Sequence, residues 1–138
     1  MQNLNAEQFS FPIGRYETPE KITDAHLAEW TDTIAALPGK LSAAVDGLSE
    51  KQLDTRYRPE GWTIRQVIHH LADSHMNAYM RFKLALTEDS PTIRPYAEAV
   101  WAELPEAKTA PVVHSLDLLR GLHARWEMVL RQLEQGDL

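Results

Sequence analysis

The chain contains no cysteine. That excludes disulfides, thiolate metal ligation and a cysteine nucleophile, and it fits a reducing compartment. No apolar run approaches the ~20 residues needed to cross a bilayer, so no membrane segment is expected. The opening MQNLNAEQFSFPIG has neither a basic start nor an apolar core, so no secretory leader is expected and the cytoplasm is the default location. Basic residues are scarce: 14 Lys and Arg against 20 Asp and Glu leave a net charge of −6, with no basic block. That argues against nucleic acid as a general partner. There is no GxSxG, no Gly-rich phosphate loop, no HExxH and no HxxxH. What is present is ordinary: 138 residues, 43% hydrophobic and 25% charged, as expected of one globular domain with one core.

Residues 1–22 hold Pro12, Gly14 and Pro19 and are expected to form an extended arm, with Phe11, Ile13 and Tyr16 placed to pin it. A first long helix is predicted from an N-cap at Thr23 to about Gly47. Leu27, Trp30, Ile34, Leu37, Leu41, Ala44 and Leu48 keep a three-and-four spacing through Pro38-Gly39, so one kinked helix is expected rather than two. His26, in its first turn, is expected at the surface. Ser49 to Gln52 is a capping box for a single turn. TRYRPEGW is then expected to be extended, because the residue before Pro59 is disfavoured in the helical region.

Gly61 to Glu88 is the stretch around which the chain is organised. Thr63 with Gln66 forms another capping box, and about six turns without Gly or Pro follow. Ile64, Ile68, Leu71, His75, Phe82 and Leu86 mark the expected buried face. Beside it runs a polar stripe of His70, Ser74, Asn77 and Arg81. This stripe suits either the lining of a cleft between helices or a solvated boundary. His69 and Asp73 lie further round, toward expected solvent.

Residues 89–111 carry Pro91, Pro95, Pro105 and Pro111, too long a segment for a tight turn. A crossover with a short helix from Tyr96 to Glu103, burying Val100 and Trp101, is expected. A third long helix begins near Pro111, with Leu116, Leu119, Leu122, Trp126, Val129 and Leu133 as its seam and Gly136 as its stop. His123 sits at the seam's edge as a packed histidine, and Gly121 is expected at a close helix approach. The fold class is therefore all-α, a bundle of three long helices plus a crossover, with the stripe facing a groove that a fourth helix or a partner subunit would fill.

Six histidines without cysteine make an imidazole metal site the first chemical idea, but no local pair chelates well. His70 and His75 are five residues apart and diverge on a helix. From chemistry alone the chain reads as a helical bundle with a polar stripe around His70.

GWTIRQVIHHLADSHMNAYMRFKLALTE, followed by PTIRPYAEAVWAEL and LLRGLHARW, closely resembles the YfiT group of DinB-like metal-dependent hydrolases. FPIGRYETPE and the LPGKL segment are similar as well, so the likeness covers nearly the whole of residues 1–138 as one domain. The resemblance implies an up-down-down-up four-helix bundle, often a homodimer. It also implies a divalent transition metal, zinc or nickel, that activates water to hydrolyse a small-molecule substrate. It assigns His70, the histidine before Leu-Ala-Asp, as one of three histidine ligands. The other two, an i, i+4 pair on the family's fourth helix, have no counterpart in this sequence, and that helix is expected to be absent. Two alternatives stay open: a DinB-like thiol S-transferase using the same site, and a metal-free helical dimerisation module.

Overall fold

The computed structural model describes residues 11–133. Gly136, expected to end the last helix, and the first ten residues of the arm lie outside them. Three long helices carry the architecture. The first, α1 (Asp24–Val45), opens on Thr23, whose hydroxyl accepts from the His26 amide while the Thr23 amide donates back to His26 Nδ1 at 3.2 Å. Half-buried His26 thus serves as the third-residue partner in a capping box, and its ring stacks on Trp30. The helix passes through buried Pro38 as one element. A proline has no amide hydrogen, so the carbonyl four residues back loses its helical donor. That carbonyl belongs to Ile34, and His123 Nδ1–H supplies the missing bond at 2.6 Å.

Ser49 caps the single turn α2 (Glu50–Leu53). The segment after it differs from expectation. TRYRPEGW folds back on itself instead of extending: Arg56 and Thr63 form an antiparallel bridge, the Gly61 amide donates to the Arg58 carbonyl, and Glu60 takes a left-handed φ of 60°. The turn delivers Thr63 as the N-cap of α3 (Ile64–Thr87), whose capping box with Gln66 is closed in both directions.

The crossover holds two short helices rather than one. The first, α4 (Glu98–Trp101), is shorter than expected and leaves Val100 exposed and Trp101 only half-buried. The second, α5 (Pro105–Thr109), starts on the proline, where a missing amide hydrogen costs nothing. Then α6 (Val113–Leu130) follows, with Leu119, His123 and Trp126 buried on its seam. Gly121 is exposed with open space around it, so the expected close approach there is not found. Leu86, expected in the seam of α3, is exposed as well.

Among the described residues, α6 packs on both α1 and α3, while α1 and α3 form no comparable interface with each other. The core is therefore the double-sided surface of α6. Trp126 is its centre, with the rings of His75, Tyr79, Phe82 and His123 at centroid distances between 5.3 and 6.2 Å, all edge-on, the geometry that aromatic quadrupoles favour.

Candidate functional site

The first two turns of α3 bury polar side chains. Arg65 is 3% exposed. Its guanidinium donates to Asp54 Oδ1 at 2.8 Å, to the Ala110 carbonyl at 2.9 Å and to Glu50. Gln66, also buried, donates to the Ala102 carbonyl at 2.6 Å. His69 was expected toward solvent, yet it is buried, with Nδ1 2.7 Å from Ser115 Oγ and Nε2 3.2 Å from the Ala110 carbonyl. A carbonyl can only accept, so Nε2 carries the proton and Ser115 donates to Nδ1. The cause of the difference is tertiary: the crossover folds back onto this face and presents its backbone carbonyls to it. Periodicity alone assigns such polar residues to solvent. The signal that was available is the concentration of polar residues on successive turns beside the seam, which a merely solvated face does not require.

His75 and His123 meet across α3 and α6, Nδ1 to Nε2 at 2.7 Å. His123 Nδ1–H is committed to Ile34, so in the neutral pair His123 Nε2 accepts and His75 Nδ1–H donates. Burial, then His123, then His70 push the His75 pKa down to about 4. The His75 ring is therefore neutral near pH 7, and the pair is already engaged in holding two helices together.

His70 stands apart. It is half-buried, with its ring 4.8 Å from the Trp62 ring and tilted by 52°. Of the histidines on α3 it alone has neither ring nitrogen hydrogen-bonded among the described residues. Asp73 lies one turn on, half-buried. Burial raises its carboxyl pKa, and the charge of Glu106 on α5 adds to that, while His70 and His69 oppose it.

The remaining stripe residues separate. Asn77 and Arg81 line a cavity of about 600 Å³ beneath the crossover, whereas His70 and Ser74 do not. Asn77 also donates to the Asp73 carbonyl of its own helix at 2.8 Å. His114 is exposed on α6.

For a resident metal, His70 is a suitable donor, since neither ring nitrogen is hydrogen-bonded among the described residues. Among the described residues, however, no three His, Cys, Asp or Glu side chains converge on one point. The described part of the chain thus offers one donor, not the three or more that a catalytic site needs.

The DinB superfamily profile matches residues 33–138. A Bacillus subtilis (strain 168) protein named "Putative metal-dependent hydrolase YfiT" is 50% identical over 130 residues, spanning 94% of this chain and 73% of that protein. A Bacillus cereus (strain AH820) protein, also named a "putative metal-dependent hydrolase", is 52% identical over 128 residues, spanning 93% of this chain and 73% of its own length. The solved structure of Bacillus subtilis YfiT, described as "a probable metal-dependent hydrolase with an unusual four-helix bundle topology", superposes with a TM-score of 0.91 at 50% identity. The match covers 94% of this chain and 74% of that one.

Proposed function

The chain belongs to the DinB superfamily, and from that premise we propose that it is a metal-dependent hydrolase in which His70 gives one ligand to a divalent transition metal, zinc or nickel. The observation that carries this is the free imidazole of His70. Its neighbours His69 and His75 have their rings tied into the fold, while His70 is held against Trp62 with neither nitrogen hydrogen-bonded among the described residues. The names of the relatives support the reaction class. Among the described residues no second and third ligand accompanies His70.

The test is metal content. Purified protein is loaded with Zn²⁺ or Ni²⁺, desalted and assayed by mass spectrometry beside His70→Ala. Retention is expected to fall to background in the variant. Equal retention by both proteins would remove His70 from the site. Hydrolysis is expected without added thiol; turnover that depends strictly on a thiol would replace hydrolysis by thiol transfer.

The protein is further proposed to act as a cytoplasmic homodimer. An apolar cleft between α1, α3 and α6, lined by Trp30, Ile34, Phe82 and Leu130 among others, supports self-association. A single monomeric species in sedimentation at high concentration would refute it.

A further inference from the structure

The cavity under the crossover lies between the second half of α3 and residues 92–97. At about 600 Å³ it is in the size range of small-molecule sites. One part is apolar, formed by Met80, Leu84, Ile93 and Trp101. The other part is polar, with Asn77, Arg81, Arg94 and Tyr96, and no carboxylate lines it among the described residues.

The two arginines line the same cavity. Acidic residues outnumber basic ones by 20 to 14, and Arg65, Arg120 and Arg131 all hold carboxylates. Arg81 and Arg94 hold none among the described residues. The Arg81 guanidinium reaches the backbone carbonyl of Arg94, at 3.5 Å, and both residues line the cavity without a carboxylate beside them among the described residues. An oxyanion in the cavity would have two cationic side chains on its wall to accept charge-assisted hydrogen bonds from. A second, independent feature is on the same wall. The Tyr96 hydroxyl is buried and has no hydrogen-bond partner among the described residues, a state that native structures rarely leave without a ligand or water to satisfy it.

We propose that this cavity binds a small organic anion, a carboxylate or phosphate ester with an aromatic or branched apolar body. Arg81 and Arg94 hold the oxyanion, and Trp101, Met80 and Leu84 cover the body. Asn77 lies seven residues beyond His70 on the same face, about 10 Å along the axis. His70 itself does not line the cavity; on the hydrolase reading the cavity serves as the recognition half of the neighbouring His70 site. This last step, which names the substrate class, rests on the hydrolase reading; the binding itself does not.

The experiment is isothermal titration of full-length protein with phenyl phosphate and phenylacetate, with benzyl alcohol as the neutral control. Saturable binding of at least one anion is expected, with none of the alcohol. Binding should weaken tenfold or more in Arg81→Gln and in Arg94→Gln, as for loss of a charge-assisted bond. It should also weaken at high salt and stay unchanged in His70→Ala. The tighter of the two anions identifies the headgroup. Arg94 is exposed, so its variant keeps the test open if Arg81→Gln unfolds. No saturable anion binding, equal affinity for benzyl alcohol, or full affinity in both arginine variants would overturn the proposal. Failure of the unaltered protein to retain any metal on loading, with anion binding intact, would refute the hydrolase reading and leave the anion site standing.

Discussion

Replacing His123 by Leu should cost stability in proportion to what the imidazole does for Pro38. The Ile34 carbonyl has no helical donor because residue 38 is proline, and His123 Nδ1–H takes that place at 2.6 Å. His123 is 1% exposed, so water does not readily replace it. Leaving a buried carbonyl unpaired costs about 1–3 kcal/mol. Loss of the edge-on contact with Trp126 and of the bond to His75 adds about 1 kcal/mol, partly offset by the apolar leucine. The total expected is about 2–4 kcal/mol. In a Pro38→Ala background the backbone amide gained at that position can donate to Ile34 directly, which removes the carbonyl contribution. There, His123→Leu should cost about 1–2 kcal/mol. Urea unfolding of the four proteins closes a double-mutant cycle. The expected coupling is about 1 kcal/mol or more. Additivity within about 0.5 kcal/mol would show that the histidine is not substituting for the missing amide.

Further outcomes follow from the same contacts. The His75 pKa is lowered from 6.5 to about 4, so the unfolded chain binds a proton that the folded chain refuses. This contribution to stability is fully present above about pH 6.5 and is lost as the pH falls toward 4. That range corresponds to about 3 kcal/mol if taken whole; half-burial reduces it to about 1–2 kcal/mol. Urea midpoints against pH should show the slope in the wild type and a flatter one in His75→Phe; identical slopes would exclude His75 as the source. Arg65→Met keeps the buried stem but loses three hydrogen bonds. Its partners Glu50 and Asp54 are 82% and 54% exposed and regain water, so about 1–2 kcal/mol is expected, against about 2–4 kcal/mol for Arg65→Ala. Equal melting temperatures for the two variants would show that the stem contributes nothing. Gly121→Ala meets open space in an exposed helical position and should stabilise by about 0.5–1 kcal/mol; a lower melting temperature would contradict this.

The elements most legible in the sequence were those fixed locally. Thr23, Ser49 and Thr63 cap helices as their spacing indicates, because a capping box closes within four residues. The phase carried across Pro38 correctly indicated one helix, and His123 was correctly read as packed. The all-α bundle itself was readable for the same reason. The polar face of α3 was not. Arg65, Gln66 and His69 are buried by carbonyls at Ala102 and Ala110, some forty residues away, and no periodicity encodes that. The helix α5 was missed because five residues starting on Pro105 give no full amphipathic period. Of the candidate site, the stripe predicted the side chains Asn77 and Arg81, but the cavity wall opposite them is irregular chain whose path depends on where α4 and α5 dock.

The position of α6 between the other two long helices has a consequence for how the protein is made. During synthesis α1 and α3 emerge first, and each lacks the surface against which it packs until α6 has left the ribosome. Isolated amphipathic helices of this length are marginal in water. The nascent chain should therefore gain stable tertiary structure in one late step, rather than helix by helix, and until then it would present its apolar stripes to chaperones.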